Sequence, residues 1–140
     1  MTSIAYETAL ELAARISNKE ISSVELTELF IQRIEKHDNN VNAVVVRTFE
    51  DARARARSAD SRLAAGEPLG PLHGVPMTIK ESYVIADTPA TWGIEGFRNN
   101  VATEDGLAVR RFRAAGAHFL GKTNVPTNLA DFQSYNPIYG

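Results

Sequence analysis

The run "GPLHGVPMTIKES", Gly70 to Ser82, places a lysine at the far end of an uncharged stretch. Lys80 follows Val75, Pro76, Met77 and Ile79, side chains that belong in an interior, so the chain carries a cation toward apolar surroundings. An ammonium desolvated at the carboxyl end of an interior strand loses its proton more readily, and the neutral amine can then take a proton from a hydroxyl nucleophile. The competing reading is a strand-end lysine that snorkels to water, and the strand pattern alone favours that one. Glu81 points to the opposite face by strand alternation and is no evident partner for Lys80.

The other polar groups read as local. His73 and His118 precede strands and have no spacing that pairs them with a carboxylate or with His37, so hydrogen bonding to neighbours is expected in place of metal ligation. Arg53, Arg55, Arg57 and Arg62 interleave with Glu50, Asp51 and Asp60, and Asp51 stands four residues ahead of Arg55, which describes a solvated helix face and no phosphate surface. Ser82 and Ser134 lack a G-x-S-x-G elbow, so neither reads as a nucleophile. No cysteine is present, which excludes disulfides, thiolate catalysis and Cys-ligated zinc. What remains is a base without its serine.

Elements of ordinary globular composition must position that base. The chain has 140 residues, 44% hydrophobic and 23% charged, enough for one domain with a modest core. Fifteen Lys and Arg against 17 Asp and Glu leave a net charge of -2, which gives no field to hold a nucleic acid or an anionic membrane. The opening "MTSIAYETALELAARISNKE" carries acidic residues from Glu7 and no continuous apolar run, unlike a signal peptide or a membrane span, and a cytoplasmic protein is expected.

Periodicity predicts a helical hairpin over residues 1–40, followed over 41–140 by the start of an α/β core, a mixed, mainly parallel sheet with covering helices. Tyr6, Ala9, Leu10, Ala13 and Ile16 form the buried face of the first helix. Ser22 and Glu25 make a capping box for the second, with Leu26, Leu29, Phe30 and Ile34 on one side and Asn39 and Asn40 at its end. "VNAVVVRTF" reads as a covered strand, and the next helix aligns Ala52, Ala56, Ala59 and Leu63 before Gly66. "HGVPMTIK" is then the second strand of a right-handed β-α-β crossover, parallel to the first, with Pro76 at a strand start or on an edge. Thr103 caps "TEDGLAVRRFRAAGA", with Glu104 and Asp105 at the positive end of its dipole and Gly116 as its stop, and "AHFLGK" is a third strand. Strands therefore fall near 43–47, 74–80 and 117–121.

After Thr123 the chain turns rich in Asn, Thr and Pro, carries four large side chains after Leu129 and reaches Gly140 without a closing element. Three strands make a thin sheet for a parallel architecture, so these residues are expected to be part of a larger domain, with an exposed sheet edge open to self-association or a homo-oligomer.

"GPLHGVPMTIKES", followed by "TEDGLAVRRFRAAGAHFLGKTNVPTNLADF", resembles the amino-terminal part of the amidase signature family, with both blocks in order and in register across residues 22–140. The resemblance implies a hydrolase of small-molecule carboxamides that works without metal or cofactor through a Ser-Ser-Lys triad. In it a lysine deprotonates a central serine, which activates the nucleophilic serine, and by position Lys80 is that lysine. Two positions depart from the family pattern: Glu81 stands where an aspartate is common, and Thr127 where a glutamate is common. The glycine- and serine-rich segment that carries both serines is not among these residues, so the resemblance implies an amino-terminal fragment, inactive alone. Two other readings stand beside it, a non-catalytic binding or assembly module and a fragment of a subunit of transfer-RNA-dependent amidotransferases.

Overall fold

The computed structural model describes residues 4–140; Met1, Thr2 and Ser3, the start of the expected 1–40 hairpin, lie outside the described residues. Two reciprocal capping boxes begin the amino-terminal helices. α1 (Ala9–Ser17) starts after Thr8, whose N–H donates to Glu11 at 2.7 Å while its hydroxyl accepts from the Glu11 N–H. α2 (Ser23–His37) repeats the arrangement with Ser22 and Glu25, as the sequence predicts. Each box satisfies N–H groups that the first turn leaves without a partner.

Leu12 and Ile16 of α1 pack with Leu26 of α2 and with Val75 in one apolar cluster, so the helical pair is present. The buried face of α1 is a correction to the sequence reading: Tyr6 and Leu10 are exposed. Tyr6 belongs to a separate 3-10 turn, Ile4–Tyr6, ahead of the Thr8 cap, and a helix counted from Ala9 turns the Leu12 and Ile16 stripe inward. On α2 the buried set includes Thr27 and Ile31 beside Leu26.

α3 (Phe49–Ala64) buries Ala52, Ala56 and Ala59, and these small side chains let it approach both α2 and the sheet. It ends in Gly66, whose φ of +71° is left-handed backbone that glycine adopts without penalty. The strands are β1 (Val44–Arg47), β2 (Pro76–Lys80) and β3 (His118–Thr123), in the order β1-β3-β2. β2 and β3 run parallel, whereas β1 runs antiparallel to β3. The expected parallel crossover is thereby overturned: β1 and β2, which α3 links, run in opposite directions on either side of β3. Local pattern identifies a strand, but its neighbour is chosen by contacts remote in sequence. Here Gly121 permits the choice, because a Cβ at that position would stand 2.2 Å from the Val46 carbonyl oxygen. Pro76 opens β2, an edge strand, where its missing N–H leaves no rung unmade.

α4 (Leu107–Ala114) is capped by Gly106 with no side-chain bond, so the Thr103 cap is a second correction. Asp105 is engaged elsewhere: it accepts the Ala86 N–H at 2.9 Å and pairs with Arg113 at 3.0 Å. Gly116, at φ +96°, follows the last turn as expected. Ile31, Ala52 and Leu120 join α2 and α3 to one face of the sheet; Val109 of α4 closes the other with Ile79, Ile85 and Phe119. The fold is a mixed α/β assembly.

Candidate functional site

Lys80 is the last residue of β2, at the carboxyl end of the parallel β2–β3 pair, and it is exposed. That corrects the expectation that drew the lysine inward. The charged side chain that enters the interior is the next one, Glu81, which is fully buried. Strand alternation accounts for both placements, since a buried Glu81 on one face sends Lys80 to the other.

The Glu81 carboxylate is saturated with donors. Oε1 accepts from the Thr91 N–H at 2.7 Å, the Thr91 hydroxyl at 3.0 Å and the Tyr139 hydroxyl at 3.0 Å, and Oε2 accepts from the Trp92 N–H at 2.9 Å. Donors on both oxygens offset the cost of burying a carboxyl group inside a protein. Burial raises the Tyr139 hydroxyl to about 12, so it stays protonated and donates.

A second buried charge lies nearby. β3 carries an irregularity between the pairs Met77–Phe119 and Thr78–Gly121, after which Ile79 faces Lys122. A one-residue bulge re-aims the side chains that follow it, and Lys122 ends on the Ile79 face, fully buried. Its ammonium donates to the Pro89 carbonyl and lies 3.5 Å from the Thr88 hydroxyl. Burial pulls its pKa down to about 8, opposed by the negative charge of Glu81. The desolvation sought at Lys80 is thus found at Lys122. Its signal was in the sequence, as a lysine inside the apolar strand "HFLGKT", but Glu81, Tyr139 and the 88–93 segment carried none at short range.

Together the two charges hold one segment, Lys122 at Thr88 and Pro89 and Glu81 at Thr91 and Trp92. Trp92 has φ +54°, left-handed backbone that a bulky residue seldom adopts, and Gly93 follows at +66° with Asn136 so close that a Cβ would meet its side chain at 2.8 Å. Asn136 in turn donates to Asn124 at 3.0 Å and to the Val125 carbonyl at 2.8 Å. A set of polar loops therefore meets at the carboxyl end of β2 and β3.

The histidines are local, as expected. His73 Nε2 lies 2.9 Å from the Ala59 carbonyl, and His118 Nε2 lies 2.9 Å from the Thr27 hydroxyl. Burial lowers His118 to about 4, which keeps it neutral near pH 7. Three of the four arginines of α3 form ion pairs on a wet face: Arg55 with Asp51 at 2.8 Å, Arg62 with Glu67 at 2.7 Å, and Arg53 with Glu28 and Glu50 at 2.6 Å. Ser134 is exposed and Ser82 is half-buried. No described helix is long and apolar enough to cross a membrane.

Comparison with known proteins gives a consistent picture. A family model described as "Amidase" matches residues 25–140. An acylamidase of Rhodococcus erythropolis is 38% identical over 132 residues, 94% of this chain and 28% of that protein. A glutamyl-tRNA(Gln) amidotransferase subunit of Thioalkalivibrio sulfidiphilus (strain HL-EbGR7) is 44% identical over 119 residues, 85% of this chain and 24% of that protein. Among solved structures, 6-aminohexanoate cyclic dimer hydrolase with its substrate superposes with a TM-score of 0.86 at 30% identity, over 99% of this chain and 27% of that one. The chain spans about a quarter of the length of these relatives.

Proposed function

Because the chain belongs to the amidase family, whose model matches most of it, and ends β2 with Lys80, we propose that its residues contribute the base of an amide hydrolase. The observation that carries this reading is the position of Lys80 at the carboxyl end of a parallel strand pair, where sites of α/β sheets assemble. The lysine accepts a proton from a central serine, that serine accepts the proton of the nucleophilic serine, and the nucleophile attacks the amide carbon. The C–N bond breaks, the amine or ammonia departs with the proton, and water releases the acid. Polypeptide outside these 140 residues supplies both serines and covers Lys80. The 140 residues alone then hydrolyse no amide, since a base without nucleophile or oxyanion donors lacks what acyl transfer requires. The substrate is a small-molecule carboxamide.

The experiment has two arms. In a longer protein that contains this chain and both serines, Lys80→Ala and Lys80→Arg should each abolish ammonia release from a panel of short amides, because a guanidinium stays protonated. Near-normal turnover by Lys80→Arg would remove Lys80 from the mechanism. In the 140-residue chain, release should not exceed that of its own Lys80→Ala variant, and lysine-dependent turnover there would overturn the requirement for outside serines. The similarity to one component of an amidotransferase favours one second reading, in which the same base serves transfer of ammonia. Ammonia release that requires glutamyl-tRNA(Gln) would select it.

A further inference from the structure

We propose that Glu81 is a positioning residue for Lys80: its buried carboxylate fastens the Thr88–Gly93 strap across the end of β2 and thereby fixes the face from which Lys80 projects. This rests on the amide-hydrolase reading for its functional consequence, though not for its geometry.

Glu81 is held from every side. Its N–H donates to the Thr123 carbonyl at 2.9 Å and extends the β2–β3 ladder by one rung, while the Lys80 carbonyl accepts the Tyr83 N–H at 2.9 Å. The peptide that joins Lys80 to Glu81 is therefore bonded at both ends. Four donors then hold the side chain on the Ile79 and Lys122 face. A one-residue slip or a twist at the strand end would exchange the faces of the two side chains, bringing a carboxylate into solvent and a lysine into the core. Breaking the four bonds of a buried carboxylate opposes that exchange strongly. Among the described residues Lys80 has no comparable anchor of its own, so its direction is set by its neighbour.

The strap receives the other half of the arrangement. Trp92 in left-handed backbone is strained, and strain of this kind persists only where surrounding bonds over-determine it. Glu81 supplies two of them, at the N–H groups of Thr91 and Trp92, and the Trp92 carbonyl accepts the Asn128 N–H at 2.9 Å. The Glu81 carboxyl group lies under this segment and holds it, and Trp92, half-exposed, is the single tryptophan of the chain and reports on it.

The test begins with the 140-residue chain and Glu81→Gln, which puts an amide donor where an N–H or O–H already points. Hydrogen exchange at the Thr91 and Trp92 amides should rise about tenfold or more, with a shift of Trp92 emission, while amides of α2 and α3 keep their protection. Unchanged protection at the strap, or an equal rise throughout α2 and α3, would overturn the proposal. If Glu81→Gln does not fold, Tyr139→Phe removes one of the four donors and should produce the same local pattern at smaller amplitude; a silent Tyr139→Phe would overturn it likewise. The second arm uses a longer active protein in which Lys80→Ala is dead. There Glu81→Gln should lower kcat about tenfold or more with KM within about twofold, as expected when the base is displaced and the substrate site is not. A loosened strap with unaltered kcat defeats the positioning role alone, whereas activity that survives Lys80→Ala defeats the amide-hydrolase reading and leaves the strap result standing.

Discussion

The amino-terminal helices and the loops at the carboxyl end of the sheet are held by different forces. Around α1, α2 and α3 the contacts are mostly apolar, Leu12, Ile16, Leu26, Ile31 and three alanines, buried without direction and tolerant of small shifts. Against the 88–93 and 124–140 segments the buried polar groups include Glu81, Lys122, Asn124 and Asn136, each meeting its partners through directed bonds. Apolar burial makes the first region stable; hydrogen-bond geometry makes the second specific, and an unpaired group there costs more than a lost contact. The base that the proposed chemistry uses stands where the second region meets the sheet.

The largest expected effect breaks the apolar region. Ala56 is fully buried between α3 and its neighbours, so Ala56→Arg introduces an unpaired charge and excess volume into a packed site. A loss of roughly 3 to 5 kcal/mol, as for a broken buried ion pair, should appear in denaturant unfolding. An unchanged midpoint would mean that α3 does not pack as described.

The next effect comes from acid and enters the same region through His118. His118 faces Thr27 of α2, with Arg55, Asp51, Asp60 and His73 as its charged or titratable surroundings. The unfolded chain binds its proton near pH 6.5 and the folded chain only near about 4. Between those values unfolding takes up a proton, so stability present above pH 6.5 is lost as the pH falls. The loss is on the order of 3 kcal/mol, and His118→Gln should flatten that limb. An equally steep acid limb in the variant would assign it to other groups.

The smallest effect sharpens the contrast from the alkaline side. Lys122 titrates near about 8 folded against 10.5 unfolded, so unfolding takes up a proton between these values and stability rises with pH. From pH 8 to about 9.5 the gain is about 2 kcal/mol relative to a Lys122→Met variant, measured by urea unfolding. A flat difference over that window would place the ammonium in water.

The legible parts were those with a local cause. Ser22 and Glu25 declared a helix start because a capping box closes within one turn, and the alanine stripe of α3 declared its buried face because 3.6-residue periodicity is a property of consecutive residues. The Asp51–Arg55 pair formed for the same reason. The illegible parts joined distant segments. Thr103 had the composition of a cap, but the Ala86 backbone and Arg113 claimed Asp105 and moved the helix start to Gly106.

The sequence by itself determined the family, the helices, the three strands and Lys80 as the last residue of one of them, since each depends on residue types at short spacing. Tertiary structure decided that β1 runs antiparallel to β3, that a bulge in β3 turns Lys122 inward, and that Glu81 and not Lys80 is the buried charge of the pair. Those outcomes depend on free energies of burial and pairing between residues 10 to 79 positions apart, from Glu81 with Thr91 to Val44 with Thr123. No short window of sequence contains both partners, so only the assembled chain can choose between them.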